Sequence, residues 1–252
     1  MKRFFITLAY NGKNYVGWQV QPNGMSVQQK MQEALSTLLR KPIGIVGAGR
    51  TDAGVHAKKM VAHFDWEGDP FNVKNLIVKL NGFLPKDIAV TDIYQVKPDI
   101  HARFSAISRT YRYYVTTQKD PFLYELKHRV FFVPDIALMN KLCEILKEYE
   151  DFTSFRKLHS NAKTNNCRID AAFWEQIEND YVFTITADRF LRNMVRAIVG
   201  TLLEAGRRRL DEEGFRRIIE AKNRNLAGTS APANALFLED ITYPLDIRLE
   251  EK

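Results

Sequence analysis

The residues with the most chemical promise lie in one loop, Gly44-Ile45-Val46-Gly47-Ala48-Gly49-Arg50-Thr51-Asp52-Ala53-Gly54-Val55-His56-Ala57. Three kinds of chemistry compete for it. Gly44 to Thr51 is one residue from the phosphate-loop pattern, but Arg50 stands where a lysine must reach the phosphates, and Ala53-Gly54-Val55 starts a helix poorly. A nucleotide-binding enzyme is therefore disfavoured. A plain turn would use the glycines for tight backbone and Asp52 to hold a neighbouring N–H. A site would use Gly49 and Gly54 to let a ligand approach the backbone while Arg50 and Asp52 project a cation and a carboxylate. The loop alone leaves these two open. Elsewhere, Arg189, Arg192 and Arg196 recur at helical spacing beside an apolar stripe of Leu191, Met194, Val195, Ile198 and Leu202, which by itself reads as a solvated basic face. Arg109, Tyr111 and Tyr113 share one face of a strand, a pattern more common in cores than in sites. The five histidines (His56, His63, His101, His128, His159) show no ligand spacing, and Cys143 and Cys167 fit neither a disulfide framework nor a zinc site. Metal catalysis has no support, and a reducing cytosol is expected.

The elements that must position these residues follow from periodicity and punctuation. Residues 4–10 form a strand, and a loop rich in Asn, Gly and Pro follows it. Ser26 and Gln29 make a capping box for a helix carrying Val27, Met31, Leu35, Leu38 and Leu39, which Pro42 closes. Apolar runs at 43–48 and 60–66 flank the glycine-rich loop; a helix at 72–82 and a strand at 88–96 come next. After a polar segment the spacing predicts strands at 109–117 and 128–133, a helix at 135–149, strands at 167–177 and 180–187, and a long helix at 189–206. A further helix starts at the cap Asp211, and a last strand spans 236–243. This is β-α-β-β-α-β twice over, so the expected fold is α+β with two ferredoxin-like (RRM-like) domains, residues 1–104 and 105–252. No flexible linker separates them, so a shared interface with a basic cleft is the expected place for a site.

Composition agrees with a folded, anion-binding protein. Of 252 residues 45% are hydrophobic and 27% charged, which excludes a disordered chain. The net charge of +7 sits almost wholly in residues 1–104, which hold 14 basic and 8 acidic side chains. The charge suggests a polyanionic partner without saying which, and many basic proteins bind no nucleic acid. No apolar run approaches the ~18 residues of a membrane span. The N-terminus has no small-residue cleavage site and reads as a first strand, so the expected location is the cytoplasm.

The unbroken run Gly49-Arg50-Thr51-Asp52-Ala53-Gly54-Val55-His56 closely resembles the active-site loop of the tRNA pseudouridine synthases of the TruA family. The resemblance extends to Tyr10-Asn11-Gly12 and Tyr15-Val16-Gly17-Trp18-Gln19, to His101-Ala102-Arg103-Phe104-Ser105-Ala106, and to Arg109-Thr110-Tyr111-Arg112-Tyr113. It continues through Asp151-Phe152-Thr153-Ser154-Phe155 and the segment from Phe190 to Gly200. Thr110 and Asn193 depart from it, at positions where relatives commonly carry basic residues. The resemblance implies isomerisation of uridine to pseudouridine at positions 38 to 40 in the anticodon stem-loop of tRNA, with no cofactor. It makes Asp52 the nucleophile or the base, since attack at C1′ and elimination to a glycal both suit one carboxylate. It places Arg196 beside Asp52, where a cation would offset the cost of keeping a carboxylate ionised in a cleft. Tyr111 would stack on the flipped uracil and serve in proton transfer at C5, and Arg50 would assist flipping. His101, Arg103, Lys58, Lys59 and the segment around His159 and Lys163 would position the RNA. A homodimer with tRNA spanning both subunits is implied as well. A noncatalytic RNA-binding protein on the same scaffold predicts loss of Asp52, Tyr111 or Arg196, and all three are present.

Overall fold

The computed structural model describes residues 1–157 and 163–249. In chain order the elements are β1 (Lys2–Tyr10), α1 (Val27–Leu39), β2 (Val46–Gly47), β3 (His56–Trp66), α2 (Val73–Phe83) and β4 (Ile88–Val96). These are followed by β5 (Ser108–Thr116), β6 (His128–Arg129), α3 (Ile136–Leu146), β7 (Ile169–Ile177), β8 (Asp180–Ala187), α4 (Met194–Gly206), α5 (Glu212–Glu220) and β9 (Leu236–Thr242). The fold is mixed α/β around multistranded sheet. Two compact units result, Met1–Ile107 with Leu238–Lys252, and Ser108–Phe237. The segment from Leu238 onward thus groups with the first unit, whereas a division at residue 104 assigns it to the second.

In the first unit β1 runs antiparallel between β3 and β4. Its alternating side chains feed two faces. Phe4, Ile6 and Leu8 pair with Phe64, Ala62 and Met60 on β3, and all six are buried. Val27, Met31, Ala34 and Leu35 are the fully buried stripe of α1. At its start Ser26 Oγ accepts from the Gln29 N–H at 3.1 Å, but the Gln29 side chain turns outward to Glu33, so only half of the capping box forms. Arg40, at φ 54, and then Pro42 end the helix. The strand expected at 43–48 shrinks to β2, because side chains of the first helix take its backbone groups. Ile43 N–H donates to Ser36 Oγ (2.9 Å), and Ile45 O accepts from Gln28 Nε2 (2.9 Å). Gly47 then lies where a Cβ would fall 2.4 Å from the Trp18 indole nitrogen.

On the other face of β1, Phe5 packs on Tyr94 and Tyr243 and faces His63. The His63 Nδ1 accepts the Ala102 N–H at 3.1 Å. Burial, then the charges of Arg3 and His101, hold the His63 pKa down at about 4, against an ordinary value of 6.5. An unfolded chain therefore binds this proton more readily, so the stability from neutral His63 is complete above pH 6.5 and drains away as pH falls towards 4. Up to roughly 3 kcal/mol is at stake. Thermal midpoints measured from pH 7.5 to 4.5 should fall more steeply in the parent than in His63→Asn, whose amide oxygen can accept the same N–H. Equal slopes would remove His63 as the cause.

In the second unit β8 lies between β5 and β7, all antiparallel, and β6 adds a short parallel pairing to β5. Tyr113, Phe183, Leu142, Met139 and Ile198 are fully buried among its helices and strands. The strand expected at 128–133 keeps only two residues, and Phe131 and Val133 beyond it are exposed. The helix expected from 189 begins at Met194. Asn193, at φ 66, occupies a left-handed conformation that no helix interior accepts. Arg189 and Arg192 consequently precede the helix and do not share a helical face with Arg196.

Candidate active site

The Asp52 loop is fastened at both ends by the last residue of β1 and the segment that follows it. Tyr10 hydroxyl and Thr51 Oγ1 meet at 2.9 Å, and Trp18 N–H donates to Thr51 O at 3.3 Å. Beyond Asp52, Gly54 N–H donates to Tyr15 O (3.3 Å), and Gly12 N–H donates to His56 Nδ1 (3.0 Å). Two glycines make these approaches possible. A Cβ on Gly12 would lie 2.0 Å from Val55 O, and one on Gly17, at φ +109, would lie 2.3 Å from Thr51 O. Gly54 turns the loop at φ 78, where Val55 N–H returns to Asp52 O at 3.1 Å. Thr51, Val55 and His56 are buried, Asp52 is half-buried, and Arg50 is exposed. The backbone either side is pinned, so the carboxylate is presented from a fixed turn.

A second anchor lies under the same segment. Tyr15 hydroxyl donates to Asp87 Oδ1 at 2.6 Å and Asn14 Nδ2 donates to Asp87 Oδ2 at 3.1 Å. Burial and the Asp87 carboxylate push the Tyr15 phenol well above its ordinary pKa, so it stays a donor. Asp87 and Gly12 were not signalled by spacing, since each acts across more than 40 residues.

In the second unit Tyr111 is half-buried on β5 opposite Ile185, and its ring meets Phe190 edge-on at 5.2 Å. Tyr113 is fully buried, and burial raises its pKa. Arg196 sits in the first turn of α4 and is gripped twice. Its Nε donates to Ala231 O at 2.7 Å, and its own carbonyl accepts the Ala231 N–H at 2.9 Å. The loop at 227–232 lies against the helix because both surfaces are glycine. A Cβ on Gly200 would fall 1.8 Å from Thr229 O, and one on Gly228 would fall 2.9 Å from Thr201 backbone. Gly228 N–H donates to Thr201 Oγ1, while Asn193 Nδ2 and Arg224 Nη2 both donate to Ser230 Oγ. The sequence marks this stretch only as a loop; here it is the cradle of Arg196.

The residues expected to meet RNA are distributed differently. Lys58 and Lys59 pair with Glu239 and Asp240 on the last strand, at 3.1 and 2.6 Å. Arg103 is exposed, and Lys163 is exposed in a bend. His101 is half-buried and turned onto its own loop, its Nδ1 accepting the Arg103 and Phe104 N–H groups. His159 lies outside the described residues. Among the described residues no cluster of His, Cys, Asp and Glu could hold a metal ion, and no helix is long and apolar enough to cross a membrane.

Comparison with known proteins decides the family. A tRNA pseudouridine synthase A of Parabacteroides distasonis is 61% identical over 98% of this chain and 98% of its own length. The chain belongs to the tRNA pseudouridine synthase A family. A second member, from Bacteroides thetaiotaomicron, is 58% identical over all of this chain and 94% of its own. The more distant member from Treponema denticola retains 38% identity over 98% of the chain and 94% of its own. A family model described as tRNA pseudouridine synthase matches residues 149–244, which contain both Arg196 and its cradle.

Proposed function

We propose that this chain isomerises uridine to pseudouridine in tRNA, at positions 38 to 40 of the anticodon stem-loop, with Asp52, Tyr111 and Arg196 carrying the reaction. The observation that supports this most is the Asp52 loop, a half-buried carboxylate beside the buried Thr51, in a loop held by four hydrogen bonds from residues 10–18. The reaction breaks the bond from C1′ to N1, turns the uracil, forms a bond from C1′ to C5 and moves the C5 proton away while N1 gains one. Asp52 attacks C1′ or removes a ribose proton, and either role needs the ionised form. Arg196 supplies the balancing positive charge, and the Ala231 carbonyl fixes its orientation. Tyr111 stacks on the turned uracil and takes part in proton transfer at C5. Arg50, exposed beside the carboxylate, fills the space of the flipped uridine. Arg103, His101, Lys58, His159 and Lys163 are assigned to holding the RNA. We also read each half as a ferredoxin-like core, the working form as a homodimer and the location as the cytoplasm; sedimentation of the purified protein tests the dimer.

The direct test is release of tritium from C5 of uridine in unmodified tRNA. Release with the parent protein is expected, and its absence from every tRNA tried would overturn the reading. Tyr111→Phe keeps the ring and removes the hydroxyl, so release should slow by about 10²- to 10⁴-fold with tRNA affinity unchanged. An unimpaired Phe variant would confine Tyr111 to stacking. Arg50→Ala should slow turnover more on a stem uridine than on an unpaired one, because only the former has stacking to lose. Equal losses would argue against a flipping role.

A further inference from the structure

We propose that Phe104 is a stacking platform for an unpaired nucleobase of the substrate RNA, one that lies several nucleotides from the reacting uridine. The inference rests on the reading of the chain as a tRNA pseudouridine synthase. Phe104 is 76% exposed, although the backbone that carries it is held by several hydrogen bonds. His101 N–H donates to Ser105 Oγ and its carbonyl accepts the Ser105 N–H, both at 2.9 Å. The His101 Nδ1 accepts the N–H groups of Arg103 and Phe104 at 3.0 and 3.3 Å. Ala102 between them donates to His63 Nδ1 and accepts from the Tyr243 hydroxyl at 2.5 Å. A loop held by six hydrogen bonds has little entropy left to lose when a ligand arrives.

The rings beneath Phe104 form a column. His63 meets His101 edge-on at 4.6 Å, and His101 meets Phe104 at 4.4 Å, so the aromatic stack rises from the buried sheet face into solvent. The Arg103 guanidinium stands 5.6 Å from the Phe104 centroid, too far for van der Waals stacking but placed to meet a phosphate beside a stacked base. One protruding ring flanked by a cation suits a nucleobase, which offers a flat π-face and an adjacent anion. A base can lie on it only when unstacked from its neighbours, as in a loop. The platform also lies away from the chemistry. The Asp52 loop joins β3 at His56 and this loop is fastened at His63, and seven residues of strand span about 23 Å. His101, assigned above to holding RNA, does so indirectly by supporting Phe104.

The test uses the full protein and an anticodon stem-loop RNA carrying 2-aminopurine at one unpaired loop position at a time. With the parent protein, one loop position should change its fluorescence on binding, and Phe104→Trp should preserve that change. Phe104→Ala and Phe104→Leu should abolish it and raise KM for pseudouridine formation by about 5- to 100-fold, with a smaller change in kcat. Leucine separates stacking from mere hydrophobic contact. Parent-like KM in the Ala variant, or equal losses in Trp and Ala, would overturn the platform. Absence of pseudouridine with the parent protein would instead overturn the functional reading.

Discussion

Asp52→Asn should eliminate pseudouridine formation, with a loss of at least about 10⁴-fold, while tRNA affinity stays within a few-fold of the parent. Asparagine has nearly the shape of aspartate but neither its charge nor its nucleophilicity, so a role in covalent or base catalysis ends with it. The fold should not notice. Six groups that shape the loop are left untouched: the backbone of Thr51, Asp52 and Gly54 and the side chains of Tyr10, Thr51 and His56. The thermal midpoint of the variant should therefore match the parent's within a degree or two. Tritium release under single-turnover conditions and filter binding on the same RNA separate the two quantities. A fully active Asn variant would remove Asp52 from the reaction.

Gly200→Ala should damage both stability and turnover, for a reason that opposes helix propensity. In the interior of α4 alanine is intrinsically better than glycine by about 1 kcal/mol. Gly82 in α2 shows the case without interference, since nothing lies within 4 Å of its added Cβ, and Gly82→Ala should stabilise by roughly 0.5–1 kcal/mol. At Gly200 the same methyl would sit 1.8 Å from Thr229 O, a backbone atom that can yield only by moving the whole loop. Overpacking of this kind costs about 1–3 kcal/mol or more, which outweighs the propensity gain. The displaced loop carries Ala231, so the Arg196 Nε bond goes with it. Gly200→Ala should lower the thermal midpoint by several degrees and slow turnover by more than about 10²-fold. If it melts above the parent, as Gly82→Ala should, the close approach is absent in solution.

What could be read ahead of the structure divides by the range of the interaction responsible. The Asp52 loop is one contiguous string, and the bounds of β4 and β8 follow from alternation and adjacent turns, so local pattern suffices for them. The caps at Ser26 and Asp211 are likewise local, each accepting from an N–H three residues on. The failures arise where a distant partner decides. The apolar run at 43–48 reads as a strand, but Ser36, Gln28 and Gln32 on α1 take its backbone groups. The basic face of a helix starting at 189 dissolves because Asn193 adopts a left-handed turn that residue type permits but does not demand. Lys58 looked available to a phosphate, yet its partner Glu239 is 181 positions away. The anchors of the site, Asp87 under Tyr15 and the 227–232 loop under Arg196, were invisible for the same reason.

The grouping of Leu238–Lys252 with Met1–Ile107 sets an order of events during synthesis. The first unit is complete only after about 130 further residues have been made, which takes roughly 7 to 26 s at ~5–20 residues per second. Until then β3 lacks β9 at its side, Ala102 lacks the Tyr243 hydroxyl, and Phe5 lacks the Tyr243 ring. The unit that carries Asp52 is thus the first to be started and the last to be closed. A nascent chain stalled before Leu238 exposes an open sheet edge and a bare aromatic face, the surface on which chaperones and proteases act.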